Sequence, residues 1–389
     1  RITEQPVTGP GGGLLGDPPR QERNPGDGPC PPLGEDGTTG SPVPPTKEGT
    51  AVLGDEDGKA AALWRMANLG TPMAVRVAAT LRIADHIAAG TRTAKDLAEA
   101  VGAHPGALER LLRYLAVRGV FDRDADGRYT LTDLGRPLCE DHPAGLRAWF
   151  DIRTGGRGEL SFVELLHSVT TGEAAFPVRY GRPYWEDLTD DPERAAAFNS
   201  LLGADVAVRA PDVVTGYDWG RLGHVVDVGG GDGSLLTALL DAHPGLRGTV
   251  VDLKEAAHSA ELSFAASGLA DRADAVTGSF FDPLPAGAGG YLLSLILHDW
   301  DDTAATAILR RCAEAAGRTG SVFVIESIGP RGDAPRTGMD LRMLCVYGAR
   351  ERGVPEFAAL AADAGLKVAA VHPAGPSAII ELTAADRAA

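Results

Sequence analysis

Residues 225–233 read Val-Val-Asp-Val-Gly-Gly-Gly-Asp-Gly, and this run constrains the fold more than any other part of the chain. Small β-branched residues ending in an acid, then glycines, then an apolar helical pattern from Leu235 to Leu240, predict a strand, a tight turn and a helix start. Glycine gives such a turn access to positive φ and lets a ligand approach without meeting a Cβ. Open α/β folds bind ligands at the carboxyl edge of a parallel sheet. A nucleotide-like ligand is therefore expected at this loop.

The spacing narrows the choice. A dinucleotide fingerprint needs a further glycine at 234 or 236, where Ser234 and Leu236 stand. A phosphate loop needs Gly-Lys-Ser/Thr, and no lysine lies between Arg221 and Lys254. Asp227 beside Gly229, Gly230 and Gly231 suits a ligand with a positive centre and an amino-acid head group, and S-adenosyl-L-methionine is such a ligand. The next strand, Gly248-Thr-Val-Val-Asp-Leu253, puts Asp252 at its tip with Leu253 after it. A carboxylate there can take both ribose hydroxyls. The competing reading is a bare glycine turn with solvated acids.

At 389 residues the chain has room for two domains and an appendage, and 44% hydrophobic content is that of a globular protein. No apolar stretch is long enough to span a membrane. The formal charge of −16 repels nucleic acid and favours small-molecule ligands. Cys30, Cys139, Cys312 and Cys345 are scattered, which suggests neither a disulfide framework nor a metal site and makes a reducing cytoplasm the default. Residues 1–58 carry 13 glycines and 11 prolines and no hydrophobic periodicity. They lack the pattern of a secretory signal and are expected to be disordered.

Residues 59–170 read as a helical domain and 171–389 as the ligand-binding α/β domain. A helical pattern runs over 63–88, interrupted at Gly70-Thr-Pro72. Thr93 is placed to cap a helix over 94–101, and His104-Pro105 opens another that Gly119 closes. Two short strands around Asp126-Gly127 follow. Helix, helix, ribbon is a winged-helix arrangement, and Arg110, Arg113 and Arg118 raise DNA binding as a rival function. Glu109 among them and the broad apolar face favour packing against a second subunit, with long apolar helices at 63–88 and around 143–170 intertwining.

Beyond Asp252, strands over 274–278, 290–297 and 321–327 alternate with helices, which predicts a doubly wound, Rossmann-like sheet. The strand 290–297 leads to His298, which therefore points into the ligand crevice, and its unperturbed pKa suits a general base near neutral pH. Glu326, ending the next strand, could hold the far ring nitrogen, and Glu351 is a second acid for that role. Either could instead pair with Arg350 or Arg352 at the surface. Asp299 and Asp301 are read as helix caps. A satisfied structural imidazole is the competing reading of His298.

Several motifs together make the chain resemble class I S-adenosylmethionine-dependent O-methyltransferases of the dimeric family bearing a winged-helix dimerisation domain. They are Val-Asp-Val-Gly-Gly-Gly-Asp-Gly at 226–233, Asp252, Gly-Ser-Phe-Phe at 278–281, Leu-His-Asp-Trp at 297–300, Met-Asp-Leu-Arg-Met-Leu at 339–344, and Arg350-Glu-Arg352 with Glu356-Phe357. The resemblance covers residues 60–384. It implies that His298 is the catalytic base flanked by Glu326 and Glu351, that Gly229, Asp252 and Phe280 line the cofactor, and that the protein is a homodimer. The flavour is that of actinobacterial enzymes acting on aromatic polyketides. Ser279 stands where the family has Asp against adenosine, and Ser294 where many relatives have lysine; both join the cofactor-side candidates. Some relatives use the bound cofactor without methyl transfer, for hydroxylation or decarboxylation. Trp149, Asn199 and Met343 are the candidates for contact with a planar aromatic acceptor.

Overall fold

The β-branched run ending at Val228 does form a central strand. In the computed structural model, which describes residues 58–329, 331–334 and 337–386, it is one of seven strands in the main sheet. The expectation of disorder for 1–58 and the thiol of Cys30 lie outside the described residues, apart from Gly58. Strands β1 (Phe121–Arg123) and β2 (Tyr129–Leu131) form a separate antiparallel ribbon. The main sheet comprises β3 (His224–Val228), β4 (Arg247–Asp252), β5 (Ala273–Thr277), β6 (Gly290–Ser294), β7 (Ser321–Ser327), β8 (Leu366–Ala374) and β9 (Ser377–Ala384).

Their order is β5-β4-β3-β6-β7-β9-β8, parallel from β5 through β7, with β9 antiparallel to β7 and β8 to β9. The chain moves outward from β3 to β4 and β5, then returns to lay β6 on the other side of β3. This reversal opens a crevice at the carboxyl ends of β3 and β6, where the glycine loop sits. Strand alternation divides the core. Val225 joins Leu236, Leu239 and Phe264 on one face, while Val226 and Val228 join Ile308, Leu309 and Phe357 on the other. Helices Ser234–Ala242 and Lys254–Ala266 cover the first face, and Asp302–Ala316 and Val354–Asp363 the second.

The helical region has its own core, with Ile83, Leu97, Leu108, Leu112, Phe121 and Tyr129 fully or nearly fully buried. The Thr93 hydroxyl accepts the Asp96 N–H (3.2 Å), as the capping pattern predicts. The expected helix over 63–88 is three helices, Lys59–Ala67, Gly70–Thr80 and Ile83–Ala88. Gly70 and Pro72 start the second one instead of ending the first, because proline in a first turn gives up an N–H that has no helical partner anyway. Arg82, in the left-handed region (φ 54), makes the second break. Helix Lys59–Ala67 belongs to a unit separate from the residues after it, and Leu63, Trp64 and Met66 on it are exposed.

The long helix expected around 143–170 is replaced by a short helix Leu146–Phe150, a 3-10 run Gly155–Glu164 and a helix Leu165–Thr171. Close packing explains the break: a Cβ on Gly155 would lie 2.5 Å from the Ala148 carbonyl oxygen. The longest helix is Pro192–Gly216, capped by Asp191. No helix among the described residues is long and apolar enough to cross a membrane.

Leu239 is fully buried between β3 and its covering helix layer. Leu239→Ala is expected to cost roughly 2–5 kcal/mol. A urea titration should show a lower midpoint at unchanged slope; an unchanged midpoint would contradict this packing.

Candidate active site

After Val228 the chain turns through Gly229 (φ 75) and Gly231 (φ 59). A Cβ on Gly229 would lie 2.6 Å from Ile296 Cδ1, and one on Gly230 would lie 2.7 Å from the Asp227 carboxyl carbon. The surroundings of Gly231 are open, and its N–H donates to Asp252 Oδ2 (2.8 Å). The Leu253 N–H donates to Asp252 Oδ1 (2.6 Å), so each oxygen keeps lone-pair capacity for a ligand. Burial raises the Asp252 carboxyl, against the pull of these two N–H groups. The Leu253 side chain is exposed.

Asp227 is buried and its Oδ2 has no hydrogen-bond partner. Burial, with Asp252 and Asp232 adding to it, pushes its carboxyl up to about 7. A cation lodged beside this orphaned oxygen would restore the ionised form. The residues present thus fit S-adenosylmethionine, with its sulfonium and ammonium charges. Phe280 meets Trp300 edge-on with ring centroids 5.6 Å apart. Ser279 Oγ accepts the Phe281 N–H (3.2 Å), and Ser294 is the half-buried last residue of β6.

Strand β6 stops at Ser294, earlier than the expected end at 297. Leu295 adopts a left-handed conformation (φ 53), and Leu297–Asp299 form a 3-10 turn. His298 is presented by that turn rather than by a strand end. Its backbone N–H donates to Glu326 Oε1 (3.3 Å). Its Nδ1 lies 3.2 Å from Glu351 Oε1 and 3.7 Å from Glu326 Oε2. Its Nε2 lies 3.5 Å from Asp299 Oδ1. The three residues read from the sequence as the catalytic set are therefore together. A proton on Nδ1, facing two acids, leaves Nε2 as the nitrogen that can accept one from a ligand.

Burial opposes a charged imidazole here, but Glu326, Asp299 and Glu351 outweigh it and raise His298 to about 10. Burial pushes Glu326 up to about 7, although His298 pulls it down. Both groups hold protons in the folded state that the unfolded chain releases, so each contribution to stability declines with rising pH. For His298 the contribution is complete below its unfolded value of 6.5 and is lost as pH rises through about 10.

Three neighbours behave differently from expectation. Asp299 is not the helix cap: it is half-buried beside His298, and Asp301 Oδ1 accepts the Ala304 N–H (2.8 Å). Arg350 and Arg352 pair with Asp302 rather than with Glu326 or Glu351. Arg352 is fully buried and donates to the carbonyls of Leu297 (2.7 Å) and Trp300 (2.8 Å).

Trp185 stacks with Tyr347 (centroids 5.3 Å) and with Trp300 (6.3 Å). Periodicity could not reveal this aromatic cluster, since its rings come from three distant segments. Trp149 lies under the Arg342 guanidinium at 5.6 Å. Asn199 is half-buried in helix Pro192–Gly216, next to Phe198, which packs on Trp185 at 5.8 Å. Met343 is buried in helix Thr337–Tyr347. Arg342, Glu159 and Arg76 also meet here: Arg342 Nε donates to Glu159 Oε1 (2.6 Å) and Arg76 Nη2 to Glu159 Oε2 (3.3 Å). The sequence carries no local signal for this cluster.

Residues 64–141 match the O-methyltransferase dimerisation domain and residues 162–367 the O-methyltransferase domain. The chain is 56% identical over 323 residues to the 2,7-dihydroxy-5-methyl-1-naphthoate 7-O-methyltransferase of Streptomyces carzinostaticus, covering 83% of this chain and 97% of that one. It is 41% identical over 365 residues to aclacinomycin 10-hydroxylase of Streptomyces purpurascens, covering 90% and 95%. Among solved structures, an O-methyltransferase from neocarzinostatin biosynthesis, in complex with S-adenosylmethionine and 2-hydroxy-5-methyl naphthoic acid, superposes with a TM-score of 0.79. That match has 56% identity and covers 83% of this chain and 98% of the other.

Two outcomes are expected. Nitrogen-15 NMR of the ligand-free protein should show the His298 imidazole titrating well above a free histidine; titration near 6.5 would contradict the carboxylate cluster. Arg352→Ala strips donors from one buried and one part-buried carbonyl and should cost about 2–4 kcal/mol in thermal or urea unfolding.

Proposed function

We propose that this chain, which belongs to the S-adenosylmethionine-dependent O-methyltransferase family, methylates a phenolic hydroxyl of an aromatic natural product of the hydroxynaphthoate or polyketide kind. The observation that carries the reading is His298, with Nδ1 facing Glu351 and Glu326 and Nε2 turned the other way, 3.5 Å from Asp299 Oδ1. The relative that methylates a naphthoate supports the acceptor class.

Bound S-adenosylmethionine supplies a methyl group on a sulfonium that leaves as a neutral thioether. Asp227, the backbone of Gly229–Gly231 and Asp252 hold that group, with Phe280, Leu253, Ser279 and Ser294 around it. His298 Nε2 takes the acceptor's hydroxyl proton as the oxygen bonds to the methyl carbon, and Glu351 and Glu326 steady the imidazolium that results. In the ligand-free protein the neighbouring carboxylates keep His298 protonated. Cationic cofactor in the crevice works against that charge, so the base is generated when the site is loaded. Trp149, Asn199 and Met343 lie on the acceptor side, and the wall there is largely aromatic.

Residues 59–170 serve as the dimerisation domain and 171–389 as the catalytic domain of a homodimer. The exposed Leu63, Trp64 and Met66 supply apolar surface for a second chain to cover, and the dimerisation match favours subunit packing over DNA reading by the ribbon and its helix. Buried, unpaired Cys139, Cys312 and Cys345 suit a reducing cytoplasm. The hydroxylase among the relatives supports a second reading, in which the cofactor is bound but not consumed.

Mass spectrometry of hydroxynaphthoates and phenolic polyketides incubated with S-adenosylmethionine or S-adenosylhomocysteine separates the two. One methyl gained with the first cofactor alone is expected; oxygen gained or carboxyl lost with either would establish the second reading. His298→Ala should lower kcat by about 10²–10⁴ while the protein stays folded. Lost stability with turnover per folded molecule intact would make the histidine structural.

A further inference from the structure

Arg76 and Arg342 converge on one carboxylate. Glu159 receives Arg342 Nε on one oxygen and Arg76 Nη2 on the other, so two guanidinium charges share a single negative partner. Both arginines are largely withdrawn from solvent, with side chains 15% and 9% exposed. Each keeps a buried donor with no well-directed hydrogen bond, Nη1 on Arg76 and Nη2 on Arg342, with the Tyr347 hydroxyl the nearby neighbour of the Arg342 guanidinium. Unpaired charged donors in a dry environment are costly, and a second anion would satisfy them. Aromatic faces lie under both: Phe150 is 5.4 Å from the Arg76 guanidinium and Trp149 is 5.6 Å from that of Arg342.

The cluster sits within electrostatic reach of the reaction centre. Arg342 acts on Asp299, whose carboxylate is 3.5 Å from His298 Nε2. A planar molecule with an acid at one end and a hydroxyl at the other matches a positive, aromatic-walled anchor on one side and a proton acceptor on the other. A neutral phenol can accept a single hydrogen bond there, but only a carboxylate brings the charge and the paired oxygens that match a guanidinium.

We propose that Arg342 and Arg76 form the subsite for a carboxylate on the aromatic acceptor, so that the enzyme selects hydroxyaryl carboxylic acids over the corresponding neutral phenols. Arg342 is the principal anchor, and Glu159 holds both guanidiniums in place. The inference rests on the methyl-transfer reading for its acceptor, but its binding arm is independent of turnover.

The test compares 1,4-dihydroxy-2-naphthoic acid with 1,4-dihydroxynaphthalene, in the full-length protein with S-adenosylhomocysteine, by calorimetry, and with S-adenosylmethionine, by turnover. Wild type should favour the acid, and Arg342→Gln should collapse that preference by about tenfold to a hundredfold, chiefly in Kd and KM rather than kcat. Arg76→Gln should reduce it in the same direction, and serves alone if Arg342→Gln does not fold. Equal affinity of wild type for both molecules overturns the subsite, as does a variant that weakens both equally. A rise confined to the KM of S-adenosylmethionine would assign the two arginines to the cofactor's carboxylate and overturn the proposal. Preferential binding of the acid, lost in the variant, without any methylation would sustain the subsite and retire the methyl-transfer reading.

Discussion

The guanidinium of Arg352 ties the reaction centre together. It donates to the carbonyls of Leu297 and Trp300, on either side of the turn that carries His298, and to Asp302 at the start of the next helix. Its neighbour in sequence is Glu351, which faces His298 Nδ1. One buried cation therefore fixes the distance between the imidazole and its acid by holding both of their backbones. A turn opened by a left-handed Leu295 has little intrinsic reason to stay in place, and the strain at that residue is sustained by the contacts around it. Replacing Arg352 with lysine would keep the charge but not the fork that reaches two carbonyls and a carboxylate at once.

Around that clamp the protein gathers carboxylates whose charge a bound cation would compensate. Asp227, Asp252 and Asp232 crowd the glycine loop, and Glu326, Asp299 and Glu351 surround His298. Burial raises Asp227 and Glu326, each to about 7, so the ligand-free site relieves repulsion by holding protons. In the proposed mechanism a sulfonium cofactor would take over from those protons as the compensating charge, and cofactor binding and readiness of His298 would be two consequences of the same electrostatic exchange.

What the sequence revealed was local. The glycine loop, the acids at the ends of β3 and β4, the Thr93 cap and the β1–β2 ribbon all depend on residues a few positions apart, where turn chemistry and periodicity act directly. The pairing of His298 with Glu326 was legible because β6 and β7 run parallel side by side, whereas Glu351, in the loop after helix Thr337–Tyr347, was offered only as a second acid. The strand preceding His298 was read too long, because the apolar run 291–297 continues past the turn and nothing in Leu295 marks a left-handed residue. Surface pairing of Arg352 was left open as an alternative because arginine is seldom fully buried; its carbonyl acceptors are more than fifty positions earlier. The helix expected around 143–170 failed for a packing reason, since Gly155 and Gly156 admit backbone contacts that a helical pattern does not encode.

The two halves of the site consequently differ in kind. The cofactor half is built from backbone groups and strand-end acids within one stretch of chain, and such a loop can change little without losing its conformation. The proposed acceptor half draws Arg76, Trp149, Glu159, Trp185 and Arg342 from helices and a 3-10 run spread along the chain. A side-chain wall can be rebuilt one residue at a time while the glycine loop and the His298 turn stay fixed. That separation directs attention for acceptor choice to the helices rather than the sheet.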